Sequence, residues 1–166
     1  LRILLAPGSS LGGARPKASV RDHEGNLALA KFPHKDDDFN IVLWEAVALV
    51  LAQKSGLHIP TWHLANILDK GVLLIQRFDR VGQQRIPFLS AMSMLGANDH
   101  EMHSYLEIVD ALKQHGAKPD ADMRELWRRM VFSIMISNTD DHLRNHGFLY
   151  EQQRGWRLAP AYDMNP

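Results

Sequence analysis

The chain has 166 residues, 45% of them hydrophobic and 23% charged, and its 19 basic and 19 acidic side chains cancel to a formal net charge of zero. That is the composition of a folded domain with a modest core, and the charge balance gives no bulk electrostatic drive toward nucleic acid or an anionic membrane. The absence of cysteine excludes disulfides and thiolate metal sites and fits a reducing, cytoplasmic setting, while the longest nearly apolar run, 41–52, is interrupted by Glu45 and too short to span a bilayer.

The amino end, LRILLAP, is apolar but has no h-region of signal-peptide length. A chain that starts at Leu1 and stops at Pro166, straight after a polar cluster, is expected to be a fragment of a longer protein. LRILL reads as β structure, and ASVRDHEGNLALAKF as two strands joined by a turn at Glu24-Gly25-Asn26. Between them lies PGSSLGGARPK. Its glycines, Gly8, Gly12 and Gly13, would let backbone N–H groups approach an anion, although neither G-x-G-x-x-G nor G-K-[ST] is present; a plain flexible loop is the competing reading.

FPHKDDD supplies acids suited to a helix amino end. A helix is expected over 39–55, with Gly56 at its C′ position. HIPTWHLANIL and GVLLIQRFDR read as strands around a turn near Asp69-Lys70-Gly71. Beyond Asp79 the chain turns helical, with helices expected over 90–96, 104–116 and 120–137. The last has the apolar set Met123, Leu126, Trp127, Met130, Val131 and Ile134 at helical spacing. HGFLY and WRLAP then form a hairpin around Glu151 to Gly155.

Three groups of residues carry chemistry. In a strand, Leu27, Leu29 and Lys31 share a face, so Lys31 is expected to continue a buried row and to need a partner. Glu45, the only charged residue between Phe39 and Gln53, is the candidate; two solvated side chains at the edges of their elements are the alternative. Second, Asp140 and Asn145 have the D-x4-N spacing in which, for phosphoryl transfer, the Asp accepts a hydroxyl proton and the Asn holds Mg²⁺. Third, the hairpin after Asn145 would return Asp163 beside it. Two other readings stay open for this stretch. Asp140 could be a cap or an exposed loop residue, and His142 and His146, at i, i+4, could join an Asp as zinc ligands of a hydrolase.

The strings GGARPKA, LAKFP, GLHIP, QRFDR, NTDDHLRNHGF and LAPAYDMNP, taken in order, resemble the signature blocks of the HipA family, bacterial serine/threonine kinases of toxin–antitoxin pairs. The resemblance covers essentially the whole chain and implies an α+β, bilobal kinase-like fold. Its small lobe would be 1–78 and a partial large lobe 79–166. It further implies ATP and Mg²⁺ as cofactors. Gly12, Gly13, Lys17 and Lys31 would contact the nucleotide, with Glu45 supporting Lys31 and Gln76 to Phe78 forming the hinge at adenine. Asp140 would be the base, His142 would support the catalytic loop, Asn145 and Asp163 would hold the metal, and Ser10 would be autophosphorylated. A protein substrate and a DNA-binding antitoxin are the implied partners. Family members usually carry an amino-terminal subdomain and helices after the metal Asp that are missing here. The alternative function is therefore a catalytically incomplete module that binds an antitoxin without turnover.

Overall fold

The computed structural model describes residues 16–34, 39–82, 84–98 and 101–166. Ser10, Gly12 and Gly13, the LRILL stretch and the acids at 36–38 lie outside the described residues.

The first half builds an antiparallel sheet from β1 (Lys17–Arg21), β2 (Leu27–Lys31), β3 (Trp62–Ile67) and β4 (Lys70–Gln76), in the order β1-β2-β4-β3. Short polar side chains set the β1–β2 turn: the Asp22 carboxylate accepts the N–H groups of Glu24 at 2.9 Å and Asn26 at 2.8 Å, an Asx-type closure. The β3–β4 turn falls at Leu68-Asp69, one residue earlier than expected. Both residues have positive φ, 50° and 60°, the twist that a two-residue hairpin requires.

Helix α1 (Ile41–Lys54) crosses between these hairpins. Asn40 caps it, its side chain accepting the Leu43 N–H at 3.2 Å, and the chain leaves it through Gly56 at φ 73°. The β2–β4 register sets Leu29 opposite Ile75 and Lys31 opposite Leu73. These four side chains therefore share one sheet face, the face on which Leu73 and Ile75 pack with Val42, Leu49 and Ala52. This corrects the expected position of Lys31. The fully buried row of β2 is Ala28 and Ala30, which join Ala18, Val20, Val72 and Leu74 on the opposite face. Lys31 lies on the half-buried row, open to a cleft.

Past the sheet, a two-strand ribbon, β5 (Arg80–Val81) and β6 (Gln84–Arg85), precedes β7 (Phe88–Ser90) and the helices α2 (Ala91–Leu95), α3 (Tyr105–His115) and α4 (Pro119–Met135). The expected hairpin is β8 (Gly147–Tyr150) with β9 (Trp156–Leu158), and β7 adds to it in the order β7-β8-β9. Helix α3 starts with a capping box, Glu107 accepting the Ser104 N–H at 2.9 Å, and α4 starts with Pro119 in its first turn. The stripe expected on α4 is only in part its buried face: Leu126 is buried and Met123 packs against the same cluster, but Trp127 is 61% and Ile134 70% exposed. The helix also buries Asp122, Arg129, Phe132 and Ser133. Its inward charges are matched, Asp122 by Arg157 and the Leu158 N–H, Arg129 by Glu125 and the Ala159 carbonyl.

One apolar core joins the two halves. Phe132, Ala161 and Met164 pack in the same cluster as Val42, Ala46, Leu49, Leu73 and Ile75. The GLHIP stretch fastens that seam: the His58 carbonyl accepts the Ala161 N–H at 2.7 Å, and the His58 N–H donates to Glu125 at 3.0 Å.

Candidate active site

Lys31, at the end of β2, reaches across to α1. Its Nζ lies 2.6 Å from Glu45 Oε1 and 2.7 Å from Asp163 Oδ1. Glu45 is 2% exposed, so this pair is what permits a carboxylate inside an apolar helix face. Burial works against the Lys31 ammonium, but Glu45 and Asp163 outweigh it and raise its pKa. Burial also raises the Glu45 pKa, and Lys31 offsets this only in part. For Asp163 burial alone would favour the neutral acid, yet Lys31, with smaller contributions from Lys17 and His142, holds its pKa below the ordinary value. Asp163 adopts φ 58°, a left-handed conformation uncommon for a non-glycine residue and frequent at working sites.

Lys31 and Asp163 of this triad line a cleft of about 300 Å³ between the sheet and the second half. Lys17, Leu29 and Lys31 form one wall, Gln76, Arg77 and Phe78 the next, and Phe88, Arg144, Tyr162 and Asp163 the far side. The structure thus gathers Lys17, Lys31, Gln76, Phe78 and Asp163 at one cavity, with Glu45 behind Lys31. Among the members that sequence reasoning missed are Phe88 and Tyr162. Their rings pack with Phe78, with centroids 5.7 to 6.5 Å apart, and make the apolar floor of the cleft. Phe88 fits because residue 147 is glycine: a Cβ there would lie 2.3 Å from Phe88 Cε2. Directly after Phe78, Asp79 accepts from Arg77 Nε at 2.8 Å, Arg77 Nη2 at 2.6 Å and Arg80 Nη1 at 2.6 Å.

The loop after α4 leaves the helix at Ser137, φ 59°, and enters a 3-10 turn at Leu143–Asn145. The Asp140 N–H donates to Asn138 Oδ1 at 3.1 Å, and the Asp140 carbonyl accepts from Asn145 Nδ2 at 2.9 Å. Asp140 and His142 face solvent, whereas Asn145 is buried. Tyr162 donates to the Arg144 carbonyl at 2.6 Å, which ties the Asp163 segment to this loop. Asp141 points inward. It accepts from His146 Nε2 at 2.9 Å, from Ser133 at 3.3 Å and from Tyr105. Burial would raise its pKa, but His146 and the two hydroxyls lower it on balance.

Asn145 and Asp163 line a shared small cavity beneath the loop. A carboxamide oxygen and an ionised, partly exposed carboxylate are the hard oxygen donors that Mg²⁺ takes alongside water and phosphate, so these residues fit that ion. The zinc reading finds no matching geometry. His146 is committed to Asp141 while His142 is exposed, and among the described residues no group of three or more His, Asp or Glu side chains is placed to hold a metal ion.

A strand lysine held by a helix glutamate, above an aromatic-floored cleft and beside a D-x4-N loop, defines the kinase-like class of fold. Within that class the chain belongs to the HipA-like C-terminal domain family, whose profile matches residues 9–166. It is 32% identical over 95% of its length to a Haemophilus influenzae protein named "Putative kinase", of which it spans 52%. It is 29% identical over 72% of its length to Y4dM of Sinorhizobium fredii, another protein of that name, of which it spans 32%. Two solved structures share the fold. One is HipA of the Shewanella oneidensis MR-1 toxin–antitoxin system, in complex with HipB and its operator DNA. It has TM-score 0.74 and 19% identity, and the match covers 94% of this chain and 43% of that one. The other is the Helicobacter pylori proinflammatory kinase CtkA, with TM-score 0.70 and 22% identity, covering 89% and 54%. The chain thus spans about half or less of the curated relatives that it matches.

Proposed function

We propose that this chain carries the nucleotide and metal site of a HipA-type serine/threonine kinase, its small lobe ending near residue 78 at the hinge. The observation that carries this reading is Lys31, fixed between Glu45 and Asp163 at the mouth of a cleft bordered by Gln76 to Phe78. Lys31 neutralises α/β-phosphate charge, and Lys17 adds a second cation on the same wall. Backbone groups at Gln76 to Phe78 meet adenine, whose faces contact Leu29, Ile75 and the aromatic floor. Asn145 and Asp163 would hold Mg²⁺, which, when bound, neutralises charge on the phosphate oxygens.

In the transfer itself, the acceptor hydroxyl oxygen bonds to the γ-phosphorus as the bond to the β,γ-bridging oxygen breaks, and ADP leaves. Asp140 accepts the hydroxyl proton, and His142 lies in the loop beside it. The Gly-rich loop with Gly12 and Gly13 would cover the phosphates and place Ser10 as an autophosphorylation target. The Shewanella relative assembles with HipB, and a DNA-binding antitoxin is the partner proposed here as well.

Transfer of label from γ-labelled ATP, with and without Mg²⁺, tests the reading. Asp140→Asn is expected to lower transfer by a factor of about 10²–10⁴, as loss of a general base does, while Mg-ATP affinity is retained. Undiminished transfer by this variant would remove Asp140 from the role. An absence of Mg-ATP binding by the wild type would favour the non-catalytic module.

A further inference from the structure

Asp141 directly follows the proposed base but has the opposite environment. Asp140 faces solvent, whereas Asp141 points into the protein and its two oxygens are claimed by three side chains. Tyr105 from α3 and Ser133 from α4 donate to Oδ2, and His146, directly before β8, lies 2.9 Å from Oδ1 through Nε2. An ionised carboxylate only accepts hydrogen bonds, so His146 donates to it through Nε2. His146 is 4% exposed, its ring meets that of Tyr105 edge-on at 5.5 Å, and among the described residues its buried Nδ1 has no hydrogen-bond partner. Among those residues the ring's polar contact is therefore the one to Asp141.

We propose that Asp141 is a positioning residue for phosphoryl transfer: together with Tyr105, Ser133 and His146 it fixes the peptide that carries Asp140. The proposal rests on the kinase reading. Residues 138–142 have no regular secondary structure, so no helix or strand ladder orients Asp140. Its carbonyl is held by Asn145 Nδ2 and its N–H by Asn138, and both bonds depend on the orientation of the peptide planes around 140–141. The side chain of Asp141 is what locks those planes to α3, α4 and the residue before β8. A rotation there would swing the base away from the acceptor hydroxyl, whereas Asn145 is itself buried at the end of the 3-10 turn. The Lys31 triad and the aromatic floor lie on other elements and would stay in place. Loss of the lock should therefore slow the chemical step and leave nucleotide affinity alone.

The test compares wild type, Asp141→Ala, Tyr105→Phe and the double variant in kcat, KM for ATP and equilibrium Mg-ATP affinity. Amide hydrogen exchange over 139–146 is measured alongside. Asp141→Ala is expected to lower kcat about 10- to 100-fold, the scale of a misplacement of around 1 Å, with ATP affinity within about twofold of wild type. The milder Tyr105→Phe moves kcat in the same direction by less. The double variant is no slower than Asp141→Ala, because Tyr105 acts through Asp141. An unchanged kcat in an Asp141→Ala protein that folds would overturn the proposal, as would equal losses in kcat and ATP affinity, or additive effects of the two substitutions. A wild type that transfers no phosphoryl group sinks the kinase reading instead. The exchange data then decide for the network: faster exchange at 139–146 in Asp141→Ala supports the lock, and unchanged exchange refutes it.

Discussion

Lys31 sits between two carboxylates, and the consequences for its neighbours are unequal. Removing Glu45 leaves the ammonium with Asp163, so Glu45→Ala should cost about 1–3 kcal/mol, the scale of a lost charged hydrogen bond. Removing Lys31 strands Glu45, which is almost wholly buried, and breaking a buried pair in this way typically costs about 3–5 kcal/mol. Lys31→Ala is therefore expected to be the more destabilising change at pH 7. The gap should narrow toward pH 5, as burial lets the stranded Glu45 take up a proton. Urea midpoints of the two variants at both pH values check this, and equal costs at pH 7 would refute it. Asp79 gives a second pH signature. Burial would raise its pKa, but hydrogen bonds and charge from Arg77 and Arg80 lower it overall. A depressed carboxylate contributes stability that is fully present above its unfolded pKa, about 3.9, and is lost as pH falls through the folded value. Asp79→Asn should accordingly cost about 1–3 kcal/mol at pH 7, and its deficit relative to wild type should shrink below about pH 4. A deficit that is constant from pH 7 to pH 3 would rule out this linkage.

Among the elements, those with long, local signals were legible in the sequence. Helix α1 has a run of apolar residues with one charge and a glycine at its end, and β8–β9 is a short hairpin between turn residues. The Lys31–Glu45 pair could be read because each charge interrupts an apolar element. Strand β7 could not, since three residues after a proline carry no alternation and the strand exists by pairing with β8, some 60 residues away in sequence. The same holds for Phe88 and Tyr162, and for Tyr105, which reaches Asp141 from 36 residues away. The buried face of α4 was partly misread because its inward charges, Asp122 and Arg129, are satisfied by Arg157 and Glu125, partners that hydropathy does not see. The β7–β8 contact yields a prediction. In Gly147→Ala the new methyl would collide with Phe88, and overpacking of this kind costs about 1–3 kcal/mol. Phe88 would shift from the cleft floor, so nucleotide affinity should fall together with stability. Adding Phe88→Leu should recover stability more than affinity, because the aromatic floor stays incomplete. Thermal melts and nucleotide titrations of the single and double variants would separate the two effects, and an unchanged affinity in Gly147→Ala would show that Phe88 is not part of the nucleotide surface.

At the scale of the whole molecule, the cleft lies between two halves that share a core. Phe132, Ala161 and Met164 pack with the residues of α1 and β4, and His58 bonds to both Ala161 and Glu125. A structure joined in this way should unfold as one cooperative unit, so far-UV circular dichroism and tryptophan fluorescence should report the same midpoint. Glu125 is the most consequential side chain of that seam. One of its oxygens accepts from the His58 N–H at 3.0 Å and from Arg129 Nε at 3.0 Å, and Arg129 in turn holds the Ala159 carbonyl at 2.8 Å. The residue thus joins the GLHIP stretch, α4 and the segment leading to Asp163. Glu125→Ala would remove the ion-pair partner of the buried Arg129, leaving it the Ala159 carbonyl and the more distant charge of Asp122, and breaking a buried pair commonly costs about 3–5 kcal/mol. Replacing both partners, as in Glu125→Leu with Arg129→Met, removes the stranded charge and should recover much of that loss. The His58 N–H and the Ala159 carbonyl would still lack their side-chain partners, so recovery stays partial. Denaturant unfolding of the wild type, the single variant and the double variant is the measurement. The single variant should shift the midpoint without splitting the transition. A transition that splits in two would show that the halves fold independently, and a double variant no more stable than the single one would show that the stranded arginine is not the source of the loss.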